Sequence, residues 1–356
     1  MIHVLFLVLC IAAIYLSCEW FVNAVEWLGR RLRLGKMAVG TILAAIGTAL
    51  PESVVTLVAV TAGKTPAAKD IGVGAALGGP LVLSTLAYGI VGIMILLTRR
   101  RARQAVGAER ADEPDAVNRA PASTTPTAPK MVGTKAELKR LAKDQQWFLP
   151  IFAVKVGLGL VAFAIKPWLG LVFFAAYAVY FAREIRTKDD GHGEEMEPLK
   201  LQPRRESPAT WAVVVQTLVT VTVIFFASQF FVEQLEAVGP MLGLPAAVTA
   251  LLLSPVATEL PETLNAIIWV RQGKTPLALA NISGSMMIQA TVPSGLGILF
   301  TPWLFDHALL LSGAITAVAI VYLLITMRLH KLTPGRLAVT AALYGVFAVG
   351  LAFILR

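Results

Sequence analysis

The pentapeptide Thr48-Ala49-Leu50-Pro51-Glu52 lies inside a long apolar run, and a near copy, Thr258-Glu259-Leu260-Pro261-Glu262, lies inside another run 210 positions later. A bilayer-spanning helix should exclude both of the residue types that end this element. Proline removes a backbone donor, and glutamate carries charge into hydrocarbon. A chain that keeps both faults twice is constrained to a fold in which two broken helices meet and something satisfies what the breaks expose.

The surrounding sequence sets the scale. Of 356 residues, 56% are hydrophobic and only 15% are charged, whereas a soluble domain of this length would be more polar. A span needs about 20 mainly apolar residues, and the chain offers about ten such runs. They lie near 2–28, 36–62, 70–98, 147–165, 168–184, 210–238, 243–270, 275–300, 304–327 and 335–355, with edges good to about two to four residues. None alternates as a β-barrel strand would. The expected fold class is therefore an all-α membrane protein with ten transmembrane helices in two inverted five-helix repeats. Its expected partners are the lipid bilayer and inorganic cations, and its oligomeric state is open.

Two gaps divide the chain. Residues 99–146 open on Arg99-Arg100-Arg101 and continue through Pro121, Pro126 and Pro129 among Ala, Ser and Thr. Such a composition cannot bury enough apolar surface to fold alone, although a single helix near Ala136–Asp144 is compatible with it. Residues 185–208 are charged and include Glu194-Glu195. Both read as solvated cytoplasmic linkers. The expected organisation is then 1–98 for helices 1–3, 99–146 for the first linker, 147–184 for helices 4–5, 185–208 for the second linker, and 209–356 for the second repeat, helices 6–10.

The net charge of +9 does not indicate nucleic-acid binding, because the basic residues sit between apolar runs. One alternate set of gaps holds Arg30, Arg31, Arg33, Lys36, Arg99 to Arg103, Arg183, Arg186, Arg271, Lys274, Arg328, Lys331 and Arg336. The other holds Lys64, Lys69 and Lys166, with Arg356 at the end. The positive-inside rule puts both termini outside and both linkers in the cytoplasm of an inner or plasma membrane. Cys10 and Cys18 lie within the first run and read as small apolar core residues, not as a disulfide or a metal clip. That run lacks a basic start, so it reads as a retained span.

The repeat extends beyond the Pro-Glu element. A shift of 210 also places Gly63-Lys64-Thr65-Pro66 on Gly273-Lys274-Thr275-Pro276, and Phe21, Val22, Glu26 and Gly29 on Phe231, Val232, Glu236 and Gly239. Positions 47 to 66 show nine identities with their copies, where chance gives about one. The basic loop Arg30–Lys36 precedes the first copy, whereas Arg271–Lys274 follows the second and the uncharged stretch Pro240–Pro245 precedes it. The copies thus run in opposite directions, the arrangement of inverted-repeat secondary transporters, which bind substrate near the midplane.

The chemistry follows from the residue types. Pro51 frees the carbonyl of Gly47, Pro261 that of Ala257, and Pro255 that of Leu251. Such carbonyls are tolerated at membrane depth only when protein or a cavity satisfies them, and a dehydrated cation is one way to do so. Thr48 and Thr258 add hydroxyls. Glu52 and Glu262 lie too deep to snorkel, where a lone charge costs at least about 2.5–3.5 kcal/mol. A divalent cation between two facing carboxylates offsets both desolvation and repulsion. Protons, or monovalent cations arriving in succession, would do the same. Oxygen donors of this kind suit Ca²⁺, Mg²⁺ or Na⁺. The competing reading is a pair of proline kinks whose protonated glutamates bond to neighbouring helices.

Asn281, Ser285 and Gln289 share one helix face at i, i+4 and i+8, with Ser283 nearby. They are candidates for cation contact or for helix-to-helix hydrogen bonding. The first repeat offers Gly72, Gly74, Ala75, Gly78 and Gly79 there instead. Glu19, Asn23 and Glu26, matched by Gln229, Glu233 and Glu236, read as rim or pathway residues or as solvated helix ends. Lys155 reads as snorkelling or paired. The four histidines are terminal or loop-borne.

At this point the motifs bring in a resemblance. Gly47-Thr48-Ala49-Leu50-Pro51-Glu52 and Ala257-Thr258-Glu259-Leu260-Pro261-Glu262 resemble the two alpha-repeat signatures of the calcium/cation antiporter superfamily, nearest its sodium/calcium exchanger branch. Asn281 to Gln289 resembles that family's helix-8 segment. The resemblance implies that Glu52 and Glu262 hold Ca²⁺. It further implies that Thr48, Thr258, Ser285 and Gln289 contribute side-chain or backbone contacts, and that Ala45 offers a carbonyl. It also implies that helices 1 and 6 slide against the rest. The chain departs from the pattern at Ala49, Glu259, Ala75 and Gly79. Family serines are lost at the first three of these positions and an asparagine at the fourth, and Glu259 adds a third carboxylate. Fewer hydroxyls and one more carboxylate fit proton coupling at least as well as sodium coupling.

The expected function is secondary active antiport of Ca²⁺ or a similar cation against Na⁺ or H⁺, with no cofactor beyond the transported ions. No ATP-binding loop and no nucleophile or metalloprotease motif is present, so an enzyme is not expected. The alternatives are a cation/proton exchanger with a non-calcium substrate, a channel or proton leak, or a non-transporting scaffold of the same fold.

Overall fold

Apolar runs in hydrocarbon must close their backbone hydrogen bonds within themselves, and the computed structural model of the chain follows that demand. It describes residues 2–61, 66–111, 132–187, 196–241, 252 and 254–354, and among these there is no strand. Helix α1 is Ile2–Arg31. Helix α2 is a continuous rod of three segments, Lys36–Ala38, a π-helical stretch Val39–Ala44, and Ala45–Thr61. Helix α3 joins Pro66–Val82, a second π-helical stretch Leu83–Ala87, and Tyr88–Ala111. Helix α4 is Lys135–Leu158, and α5 is Gly170–Arg186, entered through a 3₁₀ turn Lys166–Leu169. Helix α6 is Thr210–Met241. Helix α7 comprises Ser254–Thr258 and Leu260–Arg271, and α8 is Thr275–Phe300. Helices α9, His307–Arg328, and α10, Pro334–Ile354, complete the chain.

Among the described residues, six helical stretches are long and apolar enough to cross a membrane: Ile2–Arg31, Gly72–Arg101, Lys166–Arg186, Thr210–Phe231, His307–Arg328 and Pro334–Ile354. Their outer faces carry large exposed apolar side chains, such as Leu5 and Val8 on α1 and Phe226 on α6, which suits contact with lipid. Helix α8 is different. Nearly every residue from Leu277 to Ile298 is buried, and it packs against α2, α3, α4, α5 and α7. It is the axis of the bundle.

The repeat is visible in the element bounds. Shifted by 210, α1 falls on α6, the Ala45–Thr61 part of α2 falls on α7, and the start of α3 falls on the start of α8. The copies α1 and α6 pack extensively on each other, as α2 does on α8. Two close crossings set the centre. A Cβ on Gly284 of α8 would come within 2.2 Å of the Thr41 carbonyl oxygen, and one on Gly40 within 2.7 Å of Ala280 Cβ, so α2 and α8 touch backbone to backbone.

Four expectations need correction. The fourth span, drawn at 147–165, is instead α4, Lys135–Leu158, begun by a capping box in which Thr134 and Glu137 bond reciprocally; residues 159–165 are not helical. The linker drawn at 99–146 is helical at both ends, because α3 runs on to Ala111 and α4 starts at Lys135. The linker drawn at 185–208 is not simply solvated: Leu199 is buried, and the Glu197 and Pro198 carbonyls accept from Asn23 Nδ2 at 3.4 and 3.2 Å. Asn23 Oδ1 in turn accepts from the Lys200 amide, and the Leu201 amide donates to Gln216. This segment is docked because α1 and α6 present side-chain amides that satisfy its backbone. Finally, only one of the two proline helices is broken. Helix α7 is interrupted at Glu259, whereas α2 continues through Pro51 and takes up its irregularity upstream, in the π-helical stretch. The core of the first linker, 112–131, residues 188–195 of the second, and positions 63–65 and 242–245 of the repeat lie outside the described residues.

Candidate functional site

The backbone of α7 turns at Glu259, which sits between its two helical parts with φ −87° and ψ 6°. Pro261, placed two residues further on, starts the second part, where its missing amide costs nothing. This break aims the Glu259 side chain inward, where it is fully buried. Gln289 of α8 reaches it: its Nε2 donates to Glu259 Oε1 at 2.8 Å and to Glu52 Oε2 at 2.7 Å. One amide thus gathers a carboxylate from each repeat.

Gly79 of α3 explains why they fit. A Cβ at that position would lie 2.6 Å from Glu52 Oε1, 2.7 Å from Gln289 Oε1 and 2.8 Å from Glu259 Oε1. The glycine is a vacancy in the helix wall filled by the three side chains. Its counterpart under the repeat is Gln289, and the counterpart of Glu259 is Ala49. Each crossing therefore pairs a small residue from the first repeat with a large polar one from the second. The neighbouring layer is apolar: Gly78 lies against Pro255, and at the equivalent place Ala45 and Ala49 cluster with Ile288.

Glu262, three residues beyond Glu259, is also buried, with its carboxylate near the Thr48 hydroxyl. Thr48 Oγ1 donates back to the Ala44 carbonyl, and Thr258 Oγ1 to the Pro255 carbonyl, each at 3.1 Å. Their lone pairs stay free to face a ligand. The stripe on α8 is buried against α7. Asn281 Nδ2 donates to the Glu262 carbonyl at 3.5 Å, and Asn281, Ser285 and Gln289 are fully buried. Ser283 turns away, toward Asp144 and Gln145 of α4.

What remains is a set of oxygens with nothing to bond. Glu52 Oε1, Glu259 Oε2, Glu262 Oε2, Gln289 Oε1, Ser285 Oγ and Asn281 Oδ1 are all buried and unpartnered. Each such acceptor costs about 1–3 kcal/mol, and more when charged. A cluster of them is what a dehydrated hard cation would satisfy. Among the described residues no three His, Cys, Asp or Glu side chains converge into a metal site by themselves. The donor set is mixed, with amide and hydroxyl oxygens between carboxylates.

Other expected site residues fall elsewhere. Glu19 pairs with Lys200 at 2.7 Å and is partly exposed. Glu26 accepts from Trp269 Nε1 at 2.8 Å and pairs with Lys274, tying α1 to the corner between α7 and α8. Glu233 is exposed. The side chains of Pro51, Glu236 and Ala257 lie outside the described residues. Gly47 packs against the ring of Phe21 on α1. Cys10 and Cys18 are free and buried, and Cys18 Sγ lies 3.8 Å from the Pro261 carbonyl. Sequence reasoning passed over Thr56 and Asn265. Both are buried, with unpartnered polar atoms, and they lie one turn beyond Glu52 and Glu262, where helical spacing could have found them.

A bundle of apolar helices around a buried mixed-oxygen cluster, built on a broken helix and its unbroken copy, defines an integral membrane protein of the inverted-repeat kind. The family model described as "Sodium/calcium exchanger protein" matches residues 2–185 and 212–353, and the chain belongs to that family. Solved structures of the sodium-calcium exchanger NCX_Mj share the fold. One, soaked with 2.5 mM Na⁺ and 0.1 mM Ca²⁺, superposes with a TM-score of 0.71 at 17% identity over 97% of each chain. Another, soaked with 10 mM Na⁺ and zero Ca²⁺, gives 0.70 at 18% identity, again over 97% of each. CaxA of Alkalimonas amylolytica, whose name proposes an antiporter, is 27% identical over 146 residues, 40% of this chain and 46% of that protein. The chain thus matches about half the length of that relative.

Proposed function

We propose that the protein is a secondary active antiporter that carries Ca²⁺ or a similar hard cation in exchange for Na⁺ or H⁺ by alternating access. The observation that carries this reading is the group of buried, unpartnered oxygens contributed by both repeats: Glu52, Glu259, Glu262, Ser285 and Gln289. Asn281, Thr48 and Thr258 stand beside them, and the carbonyls of Gly47 and Ala257, each four residues before a proline, are candidates for further donors, with that of Ala45 the weakest because it begins an unbroken helix. Membership of the sodium/calcium exchanger family and the fold of NCX_Mj support the same reading. In this mechanism Glu52 and Glu262 bind the cation, and Gln289 orients Glu52 and Glu259 toward it. The family pattern has α1 and α6 sliding over the remaining helices to expose the site to each side in turn. Both termini lie outside, and the basic loops face the cytoplasm.

The counter-ion is favoured to be the proton. Glu259 adds a third carboxylate to Glu52 and Glu262. Ala75 and Gly79 meanwhile supply no side-chain oxygen for sodium.

Ca²⁺ uptake into proteoliposomes, driven in parallel by a Na⁺ gradient and by a pH gradient, tests this. Uptake driven by the pH gradient and lost in Glu52→Gln and Glu262→Gln is the expected result. Uptake driven by Na⁺ alone reassigns the counter-ion. No uptake under either gradient, in wild type and variants alike, overturns the calcium reading and favours another cation or a non-transporting scaffold.

A further inference from the structure

Lys155 stands near the last turn of α4, where a lysine would ordinarily run its stem outward to the polar interface. It turns inward instead and is fully buried. Its Nζ donates to the Ala76 carbonyl at 2.8 Å and to Ser294 Oγ at 3.1 Å. It lies 5.0 Å from the centre of the Phe152 ring, over its face. The backbone at Lys155 is pinned as well, because its carbonyl accepts from Trp303 Nε1 at 3.0 Å. A charge taken out of water at this depth is costly unless it is opposed by another, and a methionine would fill the space without that cost.

The opposing charge is in the candidate site. Two short routes connect Lys155 to the Glu52 carboxylate. Ser294 Oγ, which accepts from Lys155, donates to the Gln289 carbonyl at 3.0 Å, and Gln289 holds Glu52 and Glu259. Ala76 lies one turn before Gly79, the glycine against which the same three oxygens rest.

Three carboxylates, Glu52, Glu259 and Glu262, set against one ammonium leave two negative charges. One divalent cation neutralises them. Without the lysine, a third positive charge would have to enter and leave with the substrate.

We infer that Lys155 is a resident cation of the transport site, a tethered ammonium that stands where a monovalent counter-ion would otherwise have to bind and that balances the added carboxylate of Glu259. It does not touch the transported ion, so it is a positioning and charge-setting residue. The inference rests on the proposed cation-antiport reading, and it goes beyond that reading by stating the charge of the empty carrier and the partner residue that fixes it.

The test uses the full chain in proteoliposomes with the membrane potential clamped. Lys155→Gln keeps donors for Ala76 and Ser294 but removes the charge. It should lower Ca²⁺ exchange by about 100-fold or more, the usual scale for an uncompensated buried charge, and should shift the reversal potential. Adding Glu259→Gln restores two net negative charges, so the double variant should exchange Ca²⁺ at least about threefold faster than Lys155→Gln alone, the neighbour coupling that double-variant cycles measure. A merely structural lysine gives no such rescue.

Wild-type exchange in Lys155→Gln alone, or a double variant no better than the worse single one, overturns the inference. If Lys155→Gln cannot be recovered as a folded protein, the double variant decides: exchange supports the charge pairing, and its absence rejects it. Absence of Ca²⁺ exchange in wild type would instead reject the antiport reading itself, so the two failures are distinguishable.

Discussion

The two Pro-Glu elements begin from nearly the same letters and end in different structures. In the second repeat, α7 breaks at Glu259 and delivers that side chain to the centre. In the first, α2 runs through Pro51 without interruption, and Ala49 occupies the equivalent place. The same division holds on the partner helices, where Gly79 faces what Gln289 faces from the other side. The first repeat supplies space and one carboxylate, and the second supplies most of the chemistry. Duplication gave two interlocking halves, but a polar residue cannot be large on both sides of one crossing. Size complementarity at a close helix crossing forces the two copies to diverge.

The largest expected effect tests what the copies still share. Glu52→Gln and Glu262→Gln should each cut cation exchange by about 100-fold or more, since breaking a buried charged contact costs about 3–5 kcal/mol. Measured transport rates in proteoliposomes check this, and a variant that keeps wild-type rates would show that the carboxylates are not equivalent. Next is the vacancy. Gly79→Asn should weaken exchange by about tenfold, because it drives a side chain into Glu52, Gln289 and Glu259, and overpacking costs about 1–3 kcal/mol. Adding Glu259→Ser should recover part of that loss, and the double-variant cycle reads the coupling.

A third pair compares the crossings by stability. Gly284→Ala meets the Thr41 carbonyl and should destabilise the protein by about 1–3 kcal/mol. Gly74, its counterpart, is only partly buried, so Gly74→Ala should cost less. Thermal unfolding of the purified variants in detergent ranks them. The smallest effect belongs to the rim. Glu19→Gln makes α1 match Gln229 of α6 at this position, and it breaks an ion pair that is partly exposed. Such pairs contribute about 0–1 kcal/mol, so unfolding temperature and transport should barely change.

The helical elements and the 210-residue shift were legible because both follow from local pattern. Hydrophobic runs give the helices, and identities in register give the repeat. The polar stripe on α8 was legible for the same reason, since i, i+4, i+8 spacing survives folding. Three features were not. The continuity of α2 through Pro51 depends on the wide π-helical turns upstream, which leave no compositional mark. The importance of Gly79 is an absence, meaningful only once Glu52, Glu259 and Gln289 converge on it. Lys155 was open between an outward and a paired reading, and the choice depends on acceptors 79 and 139 positions away in sequence. The docked segment 196–208 was misread because its composition is polar, while the groups that hold it, Asn23, Trp27 and Gln216, lie on distant helices.

That docked segment also bears on how the protein is made. Asn23 and Trp27 leave the ribosome with α1, but the carbonyls of Glu197 and Pro198 that accept from them, and the Gln216 amide that donates to Asn23, are synthesised 170 or more residues later. Until then α1 carries an unsatisfied amide and indole near its basic end. The first half of the chain is therefore inserted as an unfinished object. The side-chain bonds that seat its first helix close only when the later segment arrives, so Asn23 and Trp27 tie the start of the chain to what is made long after it.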